Sequence, residues 1–250
     1  MKRSLWFFLL IVGSANFAVG QGQPAKTNGN SGEASAIPAV AITADAKPED
    51  LAKAALAAMG GDKFRNVQNM ILRGSVNLYP PNSPQSIPGG FSIVTAGDKL
   101  RMEIDARPMI TFKQIYNGQQ TYSSMPNVQV PPLTKFGFAA LVKYYQPGYK
   151  VSAIPDKKKQ RGFRIVDPDG FTTDFYIDPT NGRVMTFLFS YDGYTFGTEN
   201  RKFKEVDGVL VPFSFSQRFE MTQGAFFAEY SVKEAKLNQT LGDDTFVIPN

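Results

Sequence analysis

At 250 residues and 42% hydrophobic, the chain has enough apolar matter for one large β domain or two small ones, and gross disorder is excluded for most of it. Its 27 basic and 22 acidic side chains leave a mild formal charge of +5. Histidine and cysteine are both absent, which excludes Ser-His-Asp and Cys-His catalysis, histidine proton shuttles, the usual zinc sites and disulfides.

In chain order, Lys2 and Arg3 precede an apolar run from Leu5 to Val12, and Ala18-Val19-Gly20 before Gln21 has the small-x-small pattern of a signal-peptidase site. Residues 1–20 therefore read as a signal peptide, too short to span a membrane. The mature chain is expected in the periplasm, soluble and without a lipid anchor, since no thiol is available to carry one. Cleavage takes the formal charge to +3, and an exported protein has little occasion to meet nucleic acid. Residues 21–46, rich in Gly, Ala, Ser, Asn and Pro, read as a flexible linker. The folded domain is expected over residues 47–250.

Pro48, Glu49 and Asp50 lead into the alanines and leucines of Leu51 to Met59, and Gly60-Gly61 ends the run. These are the start and stop signals of a helix with Leu51, Ala55, Leu56 and Met59 on its apolar stripe. Asp62 to Val67 reads as a short second turn. Strands are expected at Asn69–Tyr79, Gly90–Ala96, Lys99–Ile104, Ile110–Tyr116 and Thr121–Ser124, with Gly97-Asp98 and Asn117-Gly118 as hairpin turns. Four prolines between Pro80 and Pro88 predict an exposed loop that cannot pair. Leu133 to Tyr145, apolar on nearly all sides and flanked by prolines, predicts a buried helix. From Tyr149 onward seven more strand-like segments alternate apolar and polar residues, separated by turns such as Asp178-Pro179-Thr180-Asn181-Gly182.

Strands at this spacing without intervening helices argue for a mainly β protein with a few helices. The form expected is a curved antiparallel sheet or incomplete barrel, with the two helical segments as its lid or plug. With 21 Phe and 10 Tyr, each burying on the order of 150–250 Å², one sheet face cannot hide all its rings unless helices or a ligand press on it. The functional reading places Phe187, Phe189, Phe213, Phe215, Phe226 and Tyr230 on a concave wall, with Phe136, Phe138, Leu141 and Tyr145 on a movable lid. The alternative is that these residues form an ordinary filled core. Met185 suits an adaptable acyl-chain site or any core. Asp167, Asp169, Asp174, Asp178 and Asp192 fit turn chemistry better than calcium ligation, and Asp243-Asp244 reads as a terminal structural motif. Lys157, Lys158, Lys159 and Arg161 read as a solvated hairpin tip or loop, with contact to anionic lipid as the lesser alternative. The pattern calls for no cofactor and no metal.

Three stretches carry a resemblance. They are Ala58-Met59-Gly60-Gly61 with Phe64, Val67 and Gly74; Lys99-Leu100-Arg101-Met102-Glu103 with Tyr116-Asn117-Gly118; and Phe203 to Pro212 with Asn238, Asp243-Asp244, Phe246 and Pro249. In order and spacing they resemble the periplasmic lipoprotein-carrier superfamily, the LolA/LolB-like fold. Thr121-Tyr122 stands where a tryptophan often follows the hairpin, so the likeness is to a diverged member. The resemblance implies a half-barrel with a helical lid over a hydrophobic cavity and a non-enzymatic carrier, monomeric, binding a lipid, acyl chain or lipidated protein between inner- and outer-membrane partners. It also implies a lid-latching role for Arg101, whose bland alternative is pairing with Glu103. The superfamily's envelope-stress sensors leave an interaction or sensor domain open, and a histidine-free hydrolase is the third class.

Overall fold

The computed structural model describes residues 42–81, 83, 85–125, 131–221 and 224–249, with the side chains of 219–221 left out of the description; the expected signal peptide and residues 21–41 lie outside it. Residues 42–46, which composition groups with the linker, are held to the body. The Ile42 amide donates to the Pro179 carbonyl at 3.1 Å, and Arg161 donates to the carbonyls of Thr43 at 2.8 Å and Ala46 at 3.4 Å. The basic run is therefore only partly a solvated tip, because its last member fastens the segment that enters the domain.

The first helix, α1 (Pro48–Ala58), begins at its proline, carries Glu49 and Asp50 in its first turn and stops at Gly60-Gly61, as the residues predict. A single turn, α2 (Asp62–Arg65), follows. Twelve strands then form one antiparallel sheet: β1 (Asn69–Tyr79), β2 (Ile87–Ala96), β3 (Lys99–Ala106), β4 (Ile110–Tyr116), β5 (Thr121–Ser123), β6 (Lys150–Ala153), β7 (Arg161–Val166), β8 (Thr172–Ile177), β9 (Val184–Tyr191), β10 (Tyr194–Val206), β11 (Val209–Met221) and β12 (Gly224–Leu237). Their spatial order is β5-β4-β3-β2-β1-β12-β11-β10-β9-β8-β7-β6. Among the described residues the end strands β5 and β6 do not pair with each other, so the sheet is an open half-barrel.

Among the described residues only β1 and β12 pair strands from distant parts of the chain, and they join the two meanders into one surface. Their ladder shifts register between Arg73 and Gly74, and a side chain at Gly74 would meet the Ser231 carbonyl oxygen at 2.0 Å. Glycine is required there because two backbones approach across a bulge. The proline-rich loop ends sooner than expected: β2 begins at Ile87, and Pro88 faces Asn77 of β1. Proline is accepted because β3 pairs with β2 only from Gly90 onward, so the missing amide of Pro88 costs no bond on that side.

One half of the concave side is filled. α1 packs on β6 and β7, and Phe163, Ile165, Phe175 and Ile177 beneath it are fully buried. Phe163 and Phe175 face each other across β7 and β8 with their rings stacked at 5.0 Å. Sealing each such side chain from water contributes about 1.5–3 kcal/mol, which makes this the firm end of the molecule.

The second cover departs from the expected continuous helix. Leu133–Lys135 forms a 3-10 turn, the chain breaks at Phe136-Gly137, and α3 runs only from Phe138 to Lys143. Gly137 has φ +59°, and a side chain on it would strike the Phe187 ring at 2.6 Å. The break turns Phe136 and Phe138 toward different parts of the sheet, which an unbroken helix could not do.

Candidate ligand-binding cavity

Between this second cover and the sheet lies a cavity of about 400 Å³, within the roughly 300–1,000 Å³ range of small-molecule sites. Its walls begin with the period-two alternation of the strands. Met70 of β1, Ile93 and Thr95 of β2, and Leu100 and Met102 of β3 come from one limb of the half-barrel; Phe187, Phe189, Phe196, Thr198 and Gln217 come from β9, β10 and β11 on the other. Phe64 of α2 and Leu133, Phe136, Phe138, Ala139 and Val142 of the cover close the top. Arg65, Gln68, Tyr145 and Gln146 are exposed lining residues and mark where the cavity reaches solvent.

The cover occupies part of the aromatic wall itself. Phe136 stacks on Phe189 at 4.1 Å, Phe189 stacks on Phe196 at 5.1 Å, and Phe171 meets Phe136 edge-on at 5.3 Å. Phe138 meets Phe64 at 5.7 Å and Phe187 at 5.6 Å, both edge to face. Aromatic contacts of this kind add about 0.5–1.5 kcal/mol beyond area burial. The cover is thus a plug at one end and a roof at the other.

Polar bonds fix its position. The Thr134 hydroxyl donates to the Asp98 carbonyl oxygen at 3.0 Å, and Lys143 pairs with the Asp98 carboxylate. Gln114 Nε2 donates to the Pro131 carbonyl at 3.0 Å, and the Gly137 amide donates to Thr173 Oγ1 at 3.3 Å. Lys135 Nζ lies 3.1 Å from Asp169 Oδ2, a hydrogen bond that raises the lysine pKa. Asp98, in the turn between β2 and β3, therefore receives the cover twice, once through its backbone and once through its side chain.

One polar spot interrupts the apolar wall. Thr198 of β10 and Gln217 of β11 lie opposite each other in register, and Gln217 Oε1 is buried without a hydrogen bond. No group of three or more acidic residues is placed to hold a metal among the described residues.

The expected site residues divide. Phe136, Phe138, Tyr145, Phe187 and Phe189 line the cavity; Phe213, Phe215, Phe226, Tyr230 and Leu141 do not. Phe215 and Tyr230 stack on each other at 4.6 Å, with Phe91 edge-on to Tyr230 at 5.0 Å, so these rings cover one another. Phe213 is occupied by Lys204, whose Nζ stands 4.5 Å from its centroid, and Phe226 packs against the core. Leu141 is fully buried on the core side of α3. Met185 falls where the β8–β9 register skips a residue and lies off the cavity.

Arg101 is not the latch. Its neighbours Leu100 and Met102 line the cavity, so strand alternation turns Arg101 to the opposite face. There it bonds to Glu103 at 2.8 Å and to the Thr245 carbonyl at 3.1 Å, the alternative that its sequence neighbours suggested. Burial would raise the Glu103 carboxyl, but hydrogen bonds from Arg101 and Lys113 outweigh it and hold the pKa below the usual value. The acidic residues follow turn chemistry at Asp167 and Asp178, whose carboxylates accept amides two residues on, while Asp174 makes a two-pronged pair with Arg164 across β7 and β8.

Sequence reasoning missed Phe64, Met70, Ile93, Leu100, Met102, Phe196 and Gln217 as lining groups. The alternation in Lys99 to Glu103 and in Tyr194 to Lys204 carried the signal for three of them, Leu100, Met102 and Phe196.

No protein-family model and no curated protein matches the sequence. Among solved structures, a LolA superfamily protein from Nitrosomonas europaea superposes with a TM-score of 0.52 at 11% identity, covering 81% of this chain and 98% of the other. This chain has the LolA-superfamily fold. A DUF1329 family protein from Desulfovibrio piger aligns with a TM-score of 0.49 at 7% identity, over 81% of this chain and 98% of its own. An outer membrane lipoprotein-sorting protein domain from Vibrio parahaemolyticus gives 0.46 at 11% identity, over 78% and 97%. In the LolA-like fold seen here, the cavity lies on the concave side of the half-barrel, under the segment from Pro131 to Tyr149.

Proposed function

We propose that this protein is an exported, non-enzymatic carrier that holds an acyl chain in the cavity under its second cover and releases it to a partner of higher affinity. The observation that carries the reading is the cavity itself. About 400 Å³ between the cover and the sheet is left unfilled by a chain that otherwise packs its aromatic rings against one another. The LolA-like fold supports containment over chemistry, and so does a sequence with no histidine or cysteine. Transfer of apolar surface from water yields about 25 cal/mol per Å², so burying roughly 250 Å² of an acyl chain contributes about 6 kcal/mol before the entropy of association is subtracted.

The test fills the cavity from within. Ala139 lines it from α3, and Ala139→Phe should weaken binding of a pyrene-labelled acyl chain at least tenfold while far-UV circular dichroism shows the native sheet. Phe215→Leu, in the rings that cover one another away from the cavity, should leave binding unchanged in the folded variant. Undiminished binding in a folded Ala139→Phe protein would remove the cavity as the site.

A further inference from the structure

The lining contains three cationic side chains, Arg65, Lys143 and Arg218, and no acidic one. Resting on the acyl-chain reading above, we propose that the ligand bears an anionic headgroup, a carboxylate or phosphate ester, seated at the mouth between Arg65 and Lys143. Both residues belong to the same end of the cavity. The Arg65 guanidinium lies 4.7 Å from the ring centroid of the exposed lining residue Tyr145, and Arg65 leads into β1, whose Asn69 pairs with Ala96 beside the β2–β3 turn, where Lys143 meets Asp98.

Each cation already has a carboxylate partner, Asp62 for Arg65 and Asp98 for Lys143. Those partners stand outside the lining and are the more exposed members, at 82% against 34% and 53% against 28% of the side chain. A solvated carboxylate is a weak competitor, because exposed pairs are worth only about 0.2–1 kcal/mol. An anion delivered by a tail anchored in the cavity has the advantage of being tethered beside both cations. A guanidinium additionally offers a planar fork of donors that matches carboxylate and phosphate oxygens. A neutral amphiphile would fill the same cavity and forgo these bonds.

The experiment compares heads on constant tails. Oleate is set against monoolein, lysophosphatidylglycerol against lysophosphatidylcholine of the same chain, and inorganic phosphate stands for the head alone; each competes with the pyrene-labelled chain on the full-length protein. The anionic member of each pair should bind roughly three- to tenfold tighter, the yield of two mouth ion pairs, and inorganic phosphate should not displace the probe. Arg65→Gln with Lys143→Gln should erase the preference while monoolein binding persists. Lys143→Arg should retain it, and Lys204→Gln, which removes the same charge beside Phe213, should leave it untouched. Equal affinity for both heads, or a preference that survives the double variant, overturns the anionic head but leaves the acyl site standing. Failure of every amphiphile to bind overturns both readings.

Discussion

Tyr230 shows how far the aromatic wall is closed against itself. Its ring lies between Phe215 and Phe91, it is 1% exposed, and its hydroxyl is buried without a hydrogen-bond partner. A buried donor left unmet costs about 1–3 kcal/mol, so Tyr230→Phe should stabilise the protein by about 1 kcal/mol near neutral pH. Burial also pushes the hydroxyl's pKa well above the ordinary tyrosine value. In the unfolded chain the phenol ionises near pH 10, whereas the folded chain keeps it protonated, so its contribution is complete below about pH 10 and is lost as pH rises further. Urea unfolding near neutrality and at about pH 10.5 should therefore give Tyr230→Phe a larger advantage at the alkaline value. An equal advantage at both would mean that the hydroxyl is solvated in the native state.

Among the elements, the cover is the one whose position decides access. Its Lys143–Asp98 pair is half-exposed and contributes at most about 1 kcal/mol, while the Thr134 bond uses the Asp98 backbone and survives any change of side chain. Asp98→Asn should therefore leave the melting temperature nearly unchanged and raise ligand uptake and release rates together, by up to about fivefold, in stopped-flow mixing. Unchanged rates would assign the latch to Lys135–Asp169 or to the Phe136 stack. The identity of this element was half legible in the sequence. Flanking prolines and an apolar run located it, and Gly137 inside the run was the available sign that the helix would break. Strand identity was legible throughout, because Asn69–Tyr79 and Ile110–Tyr116 carry their period and their turns locally. The cavity wall was less so. Alternation places Phe187 and Phe215 on concave-facing positions, but which stretch of that face meets a cover depends on contacts between strands far apart in the chain. Phe215 finds Tyr230 through β12, and Phe187 finds Phe138 through the cover. Period two names the face; register and curvature choose the neighbours.

At the scale of the whole molecule, one end of the half-barrel is packed solid under α1 and the other is hollow under the second cover. Stability distributed so unevenly should appear as unequal local opening. The strands under α1 hold Phe163, Phe175, Ile165 and Ile177 away from water, whereas α3 has six residues and leans on a cavity. Hydrogen exchange should be slowest in β7, β8 and α1 and faster in α3 in the ligand-free protein. Adding an acyl ligand should slow exchange in α3, β9 and β10 and leave α1 as it was, because the new contacts form only at the hollow end. Linkage gives the accompanying shift. At one hundred times its dissociation constant a ligand adds about 2.7 kcal/mol to the folded state. With about 2–4 °C per kcal/mol for a domain of this size, the melting temperature should rise by roughly 5–11 °C. Protection that spread equally to α1 would show that the two ends open as one unit, and a ligand could then enter only by loosening the whole fold. Protection confined to the hollow end would leave α1 as the fixed scaffold against which the cover moves.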